Sequence, residues 1–149
     1  MKFMMKRLFA PGNDSAPTSL GWLLLRVWLG LAMLLNHGID KLAHFSAYAT
    51  RFPDPLHIGA APGLGLVTFA ETAGAALLVF GLFTRFAAAT LVTDLAVAVF
   101  MVHKSASGEG ELAFVYLAGY AALLIGGGGK FSLDGVLFGK GGRRPEARQ

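Results

Sequence analysis

Residues 20–39 read LGWLLLRVWLGLAMLLNHGI, an apolar run that contains a single charged residue, Arg26. An α-helix needs about 20 residues to cross about 30 Å of hydrocarbon, so the length of this run predicts a membrane span. Three further apolar runs follow at residues 63–83, 86–102 and 112–127, and short polar connectors separate them. The pattern predicts an all-α protein that forms an integral membrane four-helix bundle.

The composition supports one membrane domain. Hydrophobic residues make up 54% of the chain and charged residues 15%, whereas soluble domains average about 25% charged residues. The four runs occupy about half of the chain, which leaves no room for a separate catalytic domain. We therefore divide the sequence into a basic N-terminal segment (residues 1–18), a four-helix membrane domain (residues 19–138) and a basic, flexible tail (residues 139–149).

The net charge of +4 comes from basic residues that flank the apolar runs. This placement indicates contact with a lipid bilayer and not with nucleic acid. With both termini in the cytoplasm, nine lysines and arginines lie inside and three lie outside, as the positive-inside rule requires. We predict a multi-pass protein of the bacterial inner membrane with cytoplasmic N and C termini. The inside group is Lys2, Lys6, Arg7, Arg85, Lys130, Lys140, Arg143, Arg144 and Arg148, and the outside group is Lys41, Arg51 and Lys104.

Three charged residues lie within the apolar runs: Arg26, Glu71 and Asp94. Ionisable groups in hydrocarbon are costly, and they usually pair, line a cavity or bind a ligand. Their estimated depths place all three in one layer, so we expect Arg26 to pair with Glu71, with Asp94 as the alternative partner. One base against two acids leaves one carboxyl without a charge partner. Such a pair either fixes the register of the bundle, or leaves one carboxyl to carry protons or bind a polar headgroup.

A second polar group is expected near the outer surface of the membrane. His37 and Lys41 end the first helix, His103 ends the third, and Glu111 begins the fourth. Apolar walls that meet proton-exchanging groups suit a quinone headgroup, although a solvated network of helix ends fits the same pattern. Because nine residues separate Asp94 and His103, they fall on opposite sides of an ideal helix and share a groove only if that helix is distorted. The connector between the first two spans is the longest, and we expect it to cover this outer face as a lid.

The chain contains no cysteine, so it forms no thiol relay and no cysteine-ligated iron–sulfur cluster. No short spacing of His, Glu or Asp within a helix indicates a metal site, and we expect none. In a redox function, a bound carrier or a partner protein would therefore hold the electrons.

Several short motifs occur in a fixed order relative to the four runs, and together they resemble the DoxX family of small four-span bacterial membrane proteins between about residues 20 and 138. The motifs are Arg26-x-x-x-Gly30, His37-Gly38-x-x-Lys41-Leu42, Glu71-x-x-Gly74, Leu78-x-x-Gly81-x-x-Thr84-Arg85, His103, Glu111, and Gly128 followed by Ser132-Leu133-Asp134. The characteristic positions of the family fall on Arg26, His37, Lys41, Glu71, Arg85, His103 and Glu111. Asp94 is not part of this pattern.

The resemblance implies a function associated with redox chemistry. Some members of the family are linked to the membrane subunit of thiosulfate:quinone oxidoreductase, and others to redox stress responses as membrane partners of soluble enzymes. For this chain, the resemblance implies a subunit that binds quinone or a similar lipid-soluble carrier. It assigns no catalytic residue. The ligand or proton site would consist of Arg26, His37, Lys41, Glu71, His103 and Glu111.

Two other functions fit the same residues. One is a small permease or exporter for a weak acid or another proton-coupled solute, using Glu71. The other is a non-catalytic membrane anchor that recruits a soluble redox enzyme through Arg85 and the basic tail. The sequence also leaves open whether the protein is an enzyme and whether it forms a homodimer.

Overall fold

The computed structural model describes residues 15–104 and 108–138, and the regular elements within them are helices. Four long helices pack together, which confirms the predicted all-α bundle. Residues 1–14 of the predicted N-terminal segment and the predicted tail, residues 139–149, lie outside the described residues. The helices are α1 (Ala16–Ala43), α2 (Phe45–Tyr48), α3 (Ala60–Phe80), α4 (Thr84–His103), α5 (Glu111–Gly126) and α6 (Leu133–Phe138).

The outer surface of the bundle is suited to lipid. Helices α1, α3 and α4 have 28, 21 and 20 residues and are apolar enough to cross a membrane. Helix α5 has 16 residues and is about 24 Å long, a small mismatch that a bilayer accommodates by local thinning. Large apolar side chains point away from the bundle, including Trp28 and Ile125 with 77% and 79% of their surface exposed. The chain is an integral membrane protein whose outer surface contacts the lipid bilayer.

The long helices alternate in direction, so the bundle has two distinct ends. The terminal end contains the start of α1 and the end of α5, and the loop end contains the end of α1 and the start of α5. A tight turn at the terminal end joins α3 to α4 and makes them antiparallel neighbours, as predicted. Gly81 in this turn has a φ of +67°, a conformation that glycine adopts without strain after the last residue of a helix.

The terminal half of the bundle is closely packed. Leu78, Leu91, Tyr120 and Leu123 are completely buried there. The Tyr120 hydroxyl donates a hydrogen bond of 2.9 Å to the carbonyl oxygen of Leu29, which satisfies the polar end of a buried aromatic side chain. The core therefore lies toward the terminal end, and the loop half is packed less completely.

Helices α1 and α3 touch backbone to backbone at Gly38. A Cβ atom built on Gly38 would lie 2.5 Å from the carbonyl oxygen of Glu71, closer than any side chain can approach. Small residues permit such close packing between helices in membranes. This contact fixes the polar end of α1 against the middle of α3.

Three of the long helices contain a π-helical segment; two of these segments lie toward the loop end, and the third lies at the middle of α3. They are Leu34–Gly38 in α1, Ala70–Gly74 in α3 and Ala98–His103 in α4. A π segment widens the helical turn and rotates the side chains that follow it, and such segments occur frequently at functional sites. The sequence analysis did not predict these segments.

Candidate functional site

A cavity of about 720 Å³ lies in the loop half, between the four long helices. This volume is within the range of sites that bind small organic ligands, about 300–1,000 Å³. Most of its lining side chains are apolar. The cavity brings together four of the six predicted site residues and Asp94, whereas Arg26 and Glu111 are not among its lining residues. The ionisable residues among its described lining are His37, Lys41, Asp54, Glu71, Asp94, His103 and Tyr116.

A buried ion pair joins α1 to α3 at the cavity wall. The Lys41 Nζ atom lies 2.6 Å from the Glu71 Oε2 atom, and their side chains are only 19% and 7% exposed. The pair forms because the close contact at Gly38, less than one turn away, brings this part of α1 onto α3. Removal of either partner would leave the other charge buried and unpaired, which is costly.

The predicted ion pair between Arg26 and Glu71 is not formed. Arg26 is 2% exposed. Its Nη1 donates to the carbonyl oxygens of Leu78 and Val79 at 3.0 and 2.6 Å, and its Nη2 donates to that of Phe131. Leu78 and Val79 belong to the last turn of α3, where the carbonyl groups carry the negative end of the helix dipole. Arg26 therefore stabilises the terminal end of the bundle and does not contribute to the cavity.

Asp134 satisfies the start of α4 at the same end. Its two carboxylate oxygens accept the amide protons of Phe83 and Thr84, each at 2.8 Å, as an N-terminal cap does. Its own amide donates to the carbonyl oxygen of Gly81 at 2.9 Å. We refer to Arg26, Gly81 and Asp134 together as the terminal clasp. The motif residues of the clasp thus connect helix ends and have a structural role.

Asp94 lies on α4 and faces the cavity from the side opposite Lys41. It is partly buried, and among the described residues it forms no hydrogen bond or ion pair, although it interacts electrostatically with Glu71 and Lys41. It is therefore not a charge partner of Arg26, the alternative considered above. A carboxyl group without a partner in an apolar cavity is a candidate ligand-binding group.

Among the described residues, the charged groups that line the cavity are one cation, Lys41, and three carboxyl groups, Asp54, Glu71 and Asp94. This balance disfavours an anionic ligand, because carboxylates repel negative charge strongly where the dielectric constant is low. It favours a neutral or cationic ligand that donates hydrogen bonds.

Histidines reach the cavity from two helices. His37 lies in the π segment of α1, and its ring meets the ring of Tyr116 edge-on with centroids 5.9 Å apart. His103 ends the π segment of α4 and lines the cavity together with Asp94. The π segment is the distortion that the sequence analysis required for these two residues to share a groove, because it changes the rotation between them.

Tyr116 lines the cavity from α5 and was not among the site residues predicted from the sequence. A tyrosine within an otherwise apolar run was the available indication, since its hydroxyl needs a polar neighbour. Thr90 and Thr93 also line the cavity, but their hydroxyls donate to carbonyl oxygens of their own helix at 2.8 and 2.9 Å. Glu111 is exposed at the start of α5 and is not a lining residue.

The cavity opens sideways between α3 and α4. Leu66 and Phe69 line it and are nevertheless 62% and 59% exposed on the outer surface of the bundle. Thr93 on α4 also lines the cavity and is exposed on the outer surface of the bundle. Helix α3 contacts α4 mainly through residues 70–80, so the two helices separate toward the loop end. We call this opening the lateral mouth, and it faces lipid.

The connector between α2 and α3 covers the cavity at the loop end, in the position predicted for a lid. Phe52, Pro53 and neighbouring residues of this connector line the cavity. Asp54 fixes its path by accepting the amide protons of Ile58 and Gly59 at 3.0 and 2.9 Å. The cavity therefore has an ordered cover at one end and a lipid-facing mouth at its side.

The arrangement can be compared with known proteins. The family model named DoxX matches residues 21–104, which include the cavity residues of α1, α3 and α4. A protein of Haemophilus influenzae that is described as uncharacterized is 32% identical over 120 residues, covering 72% of this chain and 84% of that protein. No solved structure matches the chain. The match over more than half of the residues, in a bundle of apolar helices, shows that this chain belongs to the DoxX family.

Proposed function

We propose that this membrane protein binds a quinone, or a lipid-soluble carrier of similar shape, as a membrane subunit of a redox system. The observation that carries the proposal is the apolar cavity of about 720 Å³, which opens to lipid. It holds Asp94, a carboxyl without a partner among the described residues, across from the pair Lys41–Glu71. A quinone has the matching shape: a flat head with oxygen substituents and an apolar tail. The head fits the polar wall, and the tail fits the lateral mouth between α3 and α4.

The wall offers both kinds of hydrogen-bonding partner. Asp94 can accept a hydrogen bond from a hydroxyl of the reduced ligand, the quinol, and in its protonated form it can donate one to a carbonyl of the quinone. Within the described residues, the Tyr116 hydroxyl and the His37 ring have no hydrogen-bond partner, so both are available to donate to a ligand carbonyl. Lys41 keeps Glu71 in place, and its ammonium has three donors, of which this bond uses one within the described residues.

The bound carrier would supply the capacity to hold two electrons, and a redox enzyme in contact with this chain would supply the electrons. The chain itself would bind and orient the headgroup and provide groups that hold a proton next to it. These roles need no cysteine, in agreement with the composition.

The proposal is tested with protein purified in mild detergent. Extraction with organic solvent should recover a quinone. A short-chain quinone at about one hundred times its Kd should stabilise the fold by about 2.7 kcal/mol, seen as a higher melting temperature. An isoprenoid alcohol that lacks the ring should not. Asp94→Asn should reduce the effect of the quinone, and Glu111→Gln, outside the cavity, should retain it. An extract without quinone and no ring-specific stabilisation would contradict the proposal.

The permease alternative has weaker support from the geometry. A permease must open its site to both faces of the membrane, and in this structure the path to the terminal end is filled by Leu78, Leu91 and Tyr120, all fully buried. The excess of carboxyl groups in the cavity also disfavours a weak-acid anion. Uptake into vesicles that follows a pH gradient and stops in Glu71→Gln would support this alternative instead.

We also propose that the terminal end faces the cytoplasm of a bacterial inner membrane, from the distribution of lysine and arginine. A soluble redox enzyme would then dock at this end, where Arg85 is accessible and its Nη2 donates to the carbonyl oxygen of Ile125 at 3.2 Å. Deletion of residues 139–149 together with Arg85→Ala should abolish co-purification of that enzyme. Retained co-purification would exclude this surface as the docking site.

A further inference from the structure

A second, smaller pocket of about 400 Å³ lies on the loop-end surface, next to the main cavity. Its lining differs from that of the cavity because most of its side chains are polar. We call it the vestibule, and its lining residues are Asp40, Lys41, Tyr48, Arg51, Phe52 and Pro53.

The rim of the vestibule is built by an ordered hydrogen-bond network. The Tyr48 hydroxyl donates to the Asp40 Oδ2 atom at 2.9 Å, and the His44 Nδ1 atom lies 3.0 Å from the Asp40 Oδ1 atom. Asp40 and His44 are about half exposed, with side chains 47% and 60% accessible. The network joins the end of α1 to α2 in contact with water. The vestibule is therefore an aqueous feature of the surface and is not an extension of the lipid-facing mouth.

Only a thin wall separates the vestibule from the cavity. Lys41, Phe52 and Pro53 line both spaces. Phe52 and Pro53 belong to the connector between α2 and α3, and Lys41 is held in place by its ion pair with Glu71. A lysine side chain has several rotatable bonds, and its ammonium can move between Glu71 and the vestibule without any change in the helices.

Charged and titratable groups face Lys41 from several elements. Glu71 lies on α3, Asp94 on α4, and His37 and Asp40 on α1, and Arg51 stands on the vestibule side. Within the part of the chain that the structure describes, no comparable route leads to the terminal end, where Leu78, Leu91 and Tyr120 fill the bundle. Water can therefore reach the headgroup position over the shortest distance from the loop end.

We propose that the vestibule is the water-side entrance to the cavity, so that protons and water reach the ligand headgroup from the loop end past Lys41 and Phe52. The apolar part of the ligand enters separately, through the lateral mouth. The inference rests on the proposed function in one respect, because only a ligand with a titratable head needs such a route. Lys41 and Phe52 then act as a gate between bulk water and a site within the membrane.

The absence of cysteine makes this inference directly testable. Ala70 lines the cavity and is 5% exposed, so Ala70→Cys places the only thiol of the chain at the floor of the cavity. The full chain is reconstituted in vesicles of known orientation, and the rate of modification is measured with a positively charged methanethiosulfonate reagent that does not cross membranes. Leu95→Cys, equally buried in the lining, serves in its place if Ala70→Cys does not fold.

We expect modification when the reagent is added at the loop end and none when it is added at the terminal end. In the Phe52→Ala background the rate at the loop end should rise about tenfold, because the rate follows the fraction of time that the gate is open. Thr93→Cys at the lateral mouth should react with a lipid-soluble maleimide and should show no increase with Phe52→Ala.

Modification from the terminal end would overturn the inference, and so would a rate at the loop end that Phe52→Ala leaves unchanged. A cavity cysteine that stays unmodified in both backgrounds would overturn it as well. No quinone is present in these measurements. If quinone does not bind but Phe52→Ala still speeds modification from the loop end, the proposed ligand is rejected and the entrance is retained. If quinone binds but modification does not depend on Phe52, only the entrance is rejected.

Discussion

The terminal clasp and the cavity are both polar clusters within an apolar bundle, but their charged side chains have different partners. In the clasp, Arg26 and Asp134 bind backbone groups at the end of α3 and the start of α4, groups that a helix cannot satisfy by itself. In the cavity, Lys41 and Glu71 bind each other, and Asp94 has no partner among the described residues. Charges that complete helix ends hold the fold together, whereas charges with unused capacity in an apolar cavity indicate a binding site.

The largest effect on stability is expected in the clasp. Arg26→Leu keeps most of the side-chain volume but removes the charged donors from three carbonyl groups, and we expect it to cost about 3 kcal/mol or more of unfolding free energy. Arg26→Lys is the matched control, because it keeps the charge and should recover part of the loss. The measurement is thermal melting in detergent. A variant that melts like the wild type would contradict the structural role of Arg26.

A slightly smaller effect is expected where α1 touches α3. Gly38→Ala places a methyl group against the carbonyl oxygen of Glu71, 2.5 Å from the position of its Cβ. We expect a cost of about 1–3 kcal/mol, as in overpacked cores, together with a weaker response to quinone because Lys41 is displaced. Gly21→Ala is the control, because no atom from another described part of the chain lies within 4 Å of its Cβ position. Equal melting of the two variants would show that the helices do not approach each other as described.

The ion pair of the cavity is tested by a double-mutant cycle. Lys41→Met and Glu71→Gln each remove one partner, and Lys41→Met leaves a carboxyl that is 7% exposed without its cation. We expect each change to cost about 1–3 kcal/mol and the double variant to cost less than their sum, with a coupling of about 1 kcal/mol or more. Strictly additive effects would show that the two side chains do not interact in the membrane.

Asp94 is expected to behave in the opposite way to Arg26. Asp94→Leu removes an unpaired carboxyl from an apolar wall, and we expect it to raise stability by about 1 kcal/mol while the stabilisation by quinone is lost. Thermal melting with and without a short-chain quinone measures both quantities. If Asp94→Leu lowers stability and the stabilisation by quinone remains, Asp94 has a structural role and is not part of the binding site.

The smallest effect is expected at the vestibule rim. The hydrogen bond from Tyr48 to Asp40 raises the pKa of the Tyr48 phenol above its ordinary value of 10.0. Because a raised pKa in the folded state favours the protonated form, the contribution of this bond is present below pH 10 and is lost as the pH rises through the raised pKa. The difference between the ultraviolet titrations of the wild type and Tyr48→Phe should show a phenol with a pKa above 10. Asp40→Asn should lower the pKa of this phenol back toward 10. A difference titration centred at the ordinary value would contradict the network.

Hydropathy alone was sufficient to predict the four helices, the antiparallel α3–α4 pair and the presence of charges inside the bundle. It was not sufficient to assign the partners of Arg26, because carbonyl groups at the end of a helix carry no mark in the sequence. A carboxylate was the partner that side-chain charges suggested, and the actual partner was backbone. The motif Gly81-x-x-Thr84 indicated where α3 ends, since a glycine after an apolar run is typical of a helix end, but it did not indicate that Arg26 binds there.

The composition of the cavity was predicted better than its geometry. His37, Lys41, Glu71 and His103 were expected in one site and do line one cavity. Their arrangement depends on three π segments, whose residues are ordinary for an apolar helix and give no indication of the wider turn. An ideal helix would place Asp94 and His103 on opposite sides of α4, whereas in the structure both residues line the cavity.

The most direct test of the account is the location of a bound carrier. A short-chain quinone with a photoreactive group on its ring is activated in membranes that contain the full chain, and the modified residues are identified by mass spectrometry. The account predicts adducts on α3 near Glu71 and on α4 near Asp94, with none on the clasp, and competition by unlabelled quinone. Adducts spread over the lipid-facing residues of α5, or labelling that unlabelled quinone does not reduce, would contradict it.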